Sequence, residues 1–150
     1  EAIFWKVLSR KEAGMKVLII DGQGGGLGRQ LVTAVKEKCP EAEVLAVGTN
    51  STATGAMLRA GADQAATGEN AVLVACRRAD VIIGPIGIVI ADSMLGEITP
   101  AMAAAVGQSQ ARRILLPVNQ CDNLVVGTAD LSMADKVREA AELLRGLLAQ

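Results

Sequence analysis

The residues most suggestive of chemistry are the glycines of the segment DGQGGGLGR, where five of the seven positions from 22 to 28 are glycine. Glycine lets backbone N–H groups approach a bound group closely, and such loops commonly hold phosphate at the start of a helix. The spacing G-x-G-x-x-x-G is one residue longer than the common dinucleotide motif. We predict that this loop binds an anionic ligand; the alternative is a tight turn that only packs helix against strand. The predicted binding residues are Gly22, Gln23, Gly24, Gly25, Gly26, Leu27 and Gly28.

Further polar or small residues follow other predicted strands, and we assign them to the same cofactor site. They are Thr49, Asn50 and Ser51 after the second strand, Gly84 after the fourth and Asn119 after the fifth. An NAD site expects a carboxylate after the second strand, and an NADP site prefers an arginine. Neither is present there, so the usual contact to the adenosine half of the cofactor is missing. The loop itself still fits NAD(P) or a mononucleotide. Helix capping is the alternative role for the hydroxyl and amide groups.

The reactive groups that remain are carboxylates and one thiol, because the chain has no histidine and no tyrosine. Asp92 and Glu97 could act as acid and base or hold magnesium against a phosphate, although solvated loop carboxylates are the default. Cys121 is a candidate nucleophile, with a buried structural thiol as the alternative. Asp21 could meet a ribose or a metal, or cap the glycine loop. We predict no dedicated metal site.

Strand-like and helix-like segments alternate along the chain with short connections. The segment KVLIID before the glycines is nearly all aliphatic, as in strands buried on both faces of a parallel sheet. Further strands are predicted at residues 44–48, 62–66, 81–83 and 114–118, with helices between them. Thr99-Pro100 and Ser132 mark helix starts. The pattern predicts a single three-layer, doubly wound, Rossmann-like α/β domain with a five-stranded, mainly parallel sheet.

Length and composition bound the organisation of the chain. Residues 15–150 fit one domain with an aliphatic core, because hydrophobic residues make up 51% and there are only one Phe and one Trp. Residues 1–14 hold both aromatics and precede Met15; we interpret them as an added extension, with a partner-docking helix as the alternative. The mean hydropathy of +0.35 favours a homodimer or higher homo-oligomer.

Charge and cysteine usage narrow the partners and the compartment. The net charge is −1 and no basic stripe with interleaved aromatics occurs, so nucleic-acid binding is not expected. The longest apolar run contains Gly84, Pro85 and Gly87 and is too short to span a bilayer, so no membrane partner is expected. Three widely spaced cysteines argue against disulfides and for the cytoplasm.

Several blocks of the sequence resemble a family of small bacterial Rossmann-like proteins designated only as a domain of unknown function. The blocks are MKVLIIDGQGGGLGRQLV, VGTNSTATGAMLRAGAD, ATGENA, IIGPIGIVIADSMLGEITPAMA and PVN. The resemblance covers nearly everything from residue 15 to about residue 130. It implies a bacterial, cytoplasmic, single-domain protein, and it supplies no activity or catalytic residues.

Three hypotheses follow from these patterns. The leading one is a domain that binds a nucleotide or another phosphorylated small molecule on the glycine loop. The second is a small enzyme, an isomerase, lyase or reductase acting on a phosphorylated metabolite, that uses Asp92 and Glu97. The third is a non-catalytic, homo-oligomeric sensor or scaffold.

Overall fold

The computed structural model describes residues 14–118, 122–128 and 130–150, and in them strands and helices alternate as the sequence predicts. The strands are β1 (Lys16–Asp21), β2 (Glu43–Gly48), β3 (Gln64–Thr67), β4 (Val81–Pro85) and β5 (Arg112–Leu116). The helices are α1 (Gly26–Lys38), α2 (Ser51–Arg59), α3 (Glu69–Arg78), α4 (Pro100–Gln108) and α5 (Met133–Leu148). A short 3-10 helix, Ile86–Val89, follows β4.

The five strands form one sheet in the order β3-β2-β1-β4-β5, and every neighbouring pair is parallel. The chain starts in the middle of the sheet, moves outward to β3, and returns to place β4 on the other side of β1. This reversal creates a switch point between β1 and β4, where ligands of doubly wound proteins bind beyond the carboxyl ends of the strands. The predicted fold class is confirmed, with a sheet that is parallel throughout.

Alternate residues of β1 feed two separate cores, one on each face of the sheet. Val17 and Ile19 belong to a cluster with buried residues of α1, α2 and α5. Leu18 and Ile20 belong to a second cluster with buried residues of α3 and α4. Because successive side chains of a strand point to opposite faces, a continuous aliphatic strand is needed to fill both layers. The protein is therefore a three-layer α/β structure.

The structure differs from the predicted element boundaries mainly at the weaker strands. β5 begins at Arg112 and ends at Leu116, two residues earlier than predicted. It is an edge strand with partly exposed residues, so polar side chains fit its first half and the hydrophobic pattern misplaces it. In α2, Leu58 is 51% exposed, whereas the neighbouring Met57 is fully buried.

The predicted helix starts are confirmed where the sequence supplies a side-chain cap. Thr99 accepts a hydrogen bond from the backbone N–H of Met102, and Ser132 accepts one from Asp135. Within the described residues no helix combines the length and apolar character that crossing a bilayer requires.

Candidate functional site

The glycine loop joins β1 to α1 and is held from beneath by Asp21, the last residue of β1. Its carboxylate accepts hydrogen bonds from the backbone N–H groups of Gly22, at 2.8 Å, and Gly28, at 2.7 Å. Asp21 is only 6% exposed, and this burial raises its pKa even though the two backbone hydrogen bonds act to lower it. Of the roles considered for Asp21, the structure therefore shows the loop cap.

Three of the five loop glycines are required by packing. A Cβ at Gly25 would lie 2.7 Å from Ala53 Cα, and the residue has φ +74°. A Cβ at Gly28 would lie 2.5 Å from Met57 Sδ, and one at Gly22 would lie 2.7 Å from a side-chain atom of Met94. Real Cβ atoms do not come this close to their neighbours, so these positions hold the loop against α2 and the β4–α4 connection.

The other two glycines, Gly24 and Gly26, face open space. A Cβ at either position would have no heavy atom within 4 Å. Among residues 14–118, 122–128 and 130–150, no group accepts a hydrogen bond from the backbone N–H of Gly24, Gly26 or Leu27. Gly24 and Gly26 are exposed and Leu27 is buried, and a bound anion is the kind of group that would accept hydrogen bonds from all three N–H groups at the start of a helix.

These two glycines line a cleft of about 480 Å³ at the switch point. Residues 21–27 and Gln30 form one wall, and the other wall comes from β4, the β4–α4 connection, the end of β5 and the start of α5. The residues of that second wall are Pro85, Gly87, Ser93, Met94, Val118 and Met133. The cleft thus has backbone amides at one end and mostly apolar side chains at the other.

The β2 side of the loop carries a carboxylate that the sequence did not place there. Glu97 accepts hydrogen bonds from the hydroxyl of Thr49 at 2.8 Å and the side-chain amide of Asn50 at 2.6 Å. It also accepts from the backbone N–H of Gln23, whose distances to the two carboxylate oxygens are 3.2 and 3.1 Å. Desolvation acts to raise the pKa of Glu97, but the hydrogen bonds from Asn50, Thr49 and Gln23 together lower it below the ordinary value.

Asn50 combines this contact with a structural role. Its side-chain oxygen accepts from the backbone N–H of Ala53 and so caps α2, while its amide also donates to the carbonyl of Gln23. The alternative of helix capping is therefore confirmed for Asn50. Ser51, the next predicted binding residue, lies exposed in the first turn of α2.

The turn that precedes α4 positions Glu97. Asp92, Met94 and Leu95 have left-handed backbone conformations, with φ of 66°, 56° and 57°. The backbone N–H of Asp92 donates to the carbonyl of Ile98 at 2.7 Å, which closes the turn. The hydroxyl of Ser93 donates to the carbonyl of Gly87 and ties the turn to the 3-10 helix. Such conformations are unfavourable for residues other than glycine and are found where the surrounding contacts hold them.

Asp92 and Glu97 contact different groups, although they lie in one turn. Asp92 is exposed and lines a cleft of about 270 Å³ with Leu95 and Asp122, which adjoins the cleft of the glycine loop at Ser93 and Met94. Glu97 is directed at the glycine loop instead. No cluster of three or more histidine, cysteine, aspartate or glutamate side chains suited to a metal ion occurs in the described ranges. The proposed acid–base or magnesium pair stays a prediction.

Of the remaining predicted residues, Gly84 lies buried inside β4. A Cβ there would be 2.6 Å from the carbonyl oxygen of Ile20, so close packing against β1 accounts for this glycine. Asn119 and Cys121 lie outside the described residues. The sequence reasoning missed Met94 and Met133 as lining residues, because single apolar side chains beside a cleft look no different from core residues in a sequence.

A parallel sheet in the order 3-2-1-4-5, with a glycine loop after its first strand, defines a Rossmann-like α/β protein. Residues 16–148 match the model of the family described as Domain of unknown function (DUF3842), and the chain belongs to that family. The predicted resemblance is thus confirmed. Comparison with the curated proteins found no match to this sequence.

Two solved structures show similarity that extends over most of the chain. One is described as the crystal structure of AibC, with 20% identity, a TM-score of 0.46, and coverage of 96% of this chain and 43% of that chain. This chain therefore spans less than half the length of AibC. The other is a dodecameric FMN-dependent UbiX-like decarboxylase from Escherichia coli O157:H7, with 18% identity and a TM-score of 0.43. There the match covers 90% of this chain and 76% of that chain.

Proposed function

We propose that this protein binds a nucleotide or another phosphorylated small molecule, with the phosphate over the N-terminus of α1. One observation carries the proposal. The backbone N–H groups of Gly24, Gly26 and Leu27 have no acceptor among the described residues, and these residues line a cleft of about 480 Å³.

The electrostatics of α1 favour an anion at this position. The helix has 13 residues and its first turn contains no acidic residue, although the carboxylate of Asp21 already accepts a hydrogen bond from the N–H of Gly28 in that turn. The nearby carboxylate of Asp21 is buried beneath the loop and engaged with Gly22 and Gly28. Nothing on the cleft side of the loop therefore competes with a phosphate for the three N–H donors within the part of the chain that the structure describes.

The far end of the cleft suits the organic part of such a ligand. Pro85, Val118, Met94 and Met133 offer apolar surface, and methionine side chains adapt to flat rings. A nucleobase, a nicotinamide or a similar ring attached to a phosphate matches this division between amides and apolar groups. NAD(P) or a mononucleotide is the cofactor class that we propose.

Passive binding is better supported than the enzyme hypothesis. Glu97 is held by three donors at the glycine loop, whereas Asp92 lines the adjoining cleft of about 270 Å³. The hypothesis of an isomerase, lyase or reductase acting on a phosphorylated metabolite would gain support if Asp92→Asn abolished turnover of a substrate found by screening.

Ligand binding can be tested by thermal unfolding and titration calorimetry. The probes are NADH, NADPH, AMP, inorganic pyrophosphate and a sugar phosphate. A ligand at 100 times its dissociation constant stabilises the folded state by about 2.7 kcal/mol if it binds only that state. The absence of any shift with every probe would contradict the proposal.

The two open glycines give variants that separate binding from folding. Gly24→Ala and Gly26→Ala place a methyl group in open space at residues that line the cleft, so the fold should tolerate both. We expect each to weaken pyrophosphate or nucleotide binding by about tenfold, because the backbone can no longer approach the anion closely. Gly107→Ala, a helical glycine of α4 that also faces open space, is the matched control and should leave binding unchanged.

We propose in addition that the protein forms homo-oligomers. Leu95, Leu124 and Val126 are almost fully exposed, at 99%, 96% and 95% of their surface. Large apolar side chains exposed to this degree favour association. Light scattering coupled to gel filtration tests the proposal, and a monomer at all concentrations would contradict it.

We also propose a cytoplasmic location. Cys39 and Cys76 are buried free thiols, as expected in a reducing compartment. Fractionation of the cells that produce the protein natively tests this location.

A further inference from the structure

Building on the proposed function, we infer that Glu97 makes the β2 side of the glycine loop a subsite for the sugar hydroxyls of a nucleotide and excludes a phosphate from that position. The segment at the end of β2, VGTNST, contains no carboxylate. The fold nevertheless brings one there from the connection between β4 and α4.

The two carboxylate oxygens of Glu97 accept different numbers of hydrogen bonds. Oε1 accepts from Thr49 and Asn50 and lies 3.2 Å from the Gln23 nitrogen. Oε2 has a single donor among the described residues, the N–H of Gln23 at 3.1 Å. A carboxylate oxygen can accept more than one hydrogen bond, and Glu97 is only partly buried. Oε2 therefore retains capacity for a donor from a ligand, such as a hydroxyl.

The same contacts remove the donors that a phosphate would use. The Thr49 hydroxyl, the Asn50 amide and the Gln23 N–H point at Glu97, so they are not available to a second anion. A phosphate placed beside Glu97 would meet a negative charge without compensating hydrogen bonds, and juxtaposed like charges oppose binding strongly. The subsite thus favours neutral donors over anions.

Gln23 connects this subsite to the proposed phosphate position. Its N–H binds Glu97 on the β2 side, while the residue also lines the cleft next to Gly24. A group held over the start of α1 would therefore lie one residue along the loop from the carboxylate. In a dinucleotide a pyrophosphate joins two nucleosides, so the ribose diol of one nucleoside can reach Glu97 while the other nucleoside extends to the apolar end of the cleft.

The matched probes for this inference are NADH and NADPH, which differ only by a phosphate on a ribose hydroxyl, together with AMP and adenosine 2′,5′-bisphosphate. We expect the wild-type protein to prefer NADH and AMP. In Glu97→Gln the preference should fall by about tenfold, because the variant loses a charge-assisted hydrogen bond to the hydroxyl and a repulsion toward the phosphate. Glu69→Gln is the control, since Glu69 also follows a strand at this edge and accepts one hydroxyl hydrogen bond, from Thr99 at 2.7 Å.

A second variant separates the charge from the hydrogen bond. Glu97→Asp keeps the charge but shortens the side chain, so we expect weaker NADH binding without any gain in NADPH binding. Denaturant unfolding of each variant verifies that it is folded at the temperature of the titrations.

The outcomes distinguish this inference from the proposed function. Equal wild-type binding of NADH and NADPH, or an unchanged ratio in Glu97→Gln, would overturn the role of Glu97 and leave the phosphate site intact. Tighter binding of both nucleotides and of pyrophosphate in Glu97→Gln would also overturn it, because Glu97 would then occupy the anion position itself. Failure of every probe to bind the wild-type protein would overturn the proposed function together with this inference.

Discussion

The glycine loop has two groups of glycines, and the absence of a side chain serves a different purpose in each group. On the packed side, Gly22, Gly25 and Gly28 lie against Met94, Ala53 and Met57, where a Cβ would clash. On the open side, Gly24 and Gly26 adjoin the cleft, and a Cβ at either position would meet no atom.

One glycine-rich segment can therefore satisfy two unrelated requirements, close packing at some positions and contact with a ligand at others. Packing explains the first group completely, because helix, strand and connection approach the loop backbone closely. Packing does not explain the second group, since alanine would fit there and would also reduce the entropy of the unfolded chain. A ligand that needs close contact with the backbone gives the open glycines a reason to be present.

The largest effect should come from adding a methyl group on the packed side. In Gly25→Ala the new Cβ meets the backbone of Ala53, and the residue must keep a left-handed conformation. We expect a loss of about 3 kcal/mol in the free energy of unfolding, from the clash and the conformational strain together. Urea unfolding measures it, with Gly107→Ala as the tolerated control. A loss equal to that of Gly24→Ala would remove the distinction between the two sides.

The next largest effect should come from Asn50, which holds the packed side together. Asn50→Ala removes the cap of α2 and the donors to Gln23 and Glu97, so we expect a loss of about 2 kcal/mol. Ser132→Ala, which removes the cap of α5, should cost about 1 kcal/mol. Chemical denaturation of the two variants in parallel gives the comparison, and equal losses would show that the Glu97 contact adds nothing.

On the open side, a charged substitution should affect stability and binding in opposite directions. Gly26→Asp adds a carboxylate to the first turn of α1, where it should stabilise the fold by about 0.5 kcal/mol through the helix dipole. The same carboxylate would take the position of the proposed phosphate and should abolish pyrophosphate binding. Thermal unfolding and calorimetry test the two effects. Retained binding would place the anion elsewhere.

The smallest effect concerns the pH dependence that Glu97 contributes on the packed side. Its pKa is lowered in the folded protein, so the ionised form stabilises the fold above the pKa that glutamate has in the unfolded chain. This contribution is lost as the pH falls through the folded pKa. The stability difference between wild type and Glu97→Gln should therefore be largest near pH 7 and shrink on acidification. Asp21 interacts electrostatically with Glu97 and its own pKa shifts upward, chiefly because it is buried; Glu69→Gln controls for a general effect of charge. A difference that grows on acidification would contradict the assignment.

The sequence was informative wherever a local pattern forces a structure. The aliphatic run before the glycines predicts a strand buried on both sides, and Thr99-Pro100 and Ser132 supply caps that act within four residues. Edge strands were harder to delimit, as β5 shows, because partial exposure weakens the alternation of apolar and polar residues.

The site was predicted only as far as it is contiguous in the chain. Residues 22–28 were recognised because they form one loop, and Asp21 was considered as its cap for the same reason. The contact of Glu97 with Thr49 joins residues 48 positions apart, so no spacing rule could reveal it.

By itself, the sequence determined that strands and helices alternate, that the core is aliphatic, and that a glycine loop precedes α1. Those properties depend on interactions between near neighbours in the chain. The tertiary structure alone decided the strand order, the division of the glycines into a packed and an open group, and the position of Glu97 beside β2. These depend on which distant segments meet, and that is set by the packing of helices on both faces of the sheet.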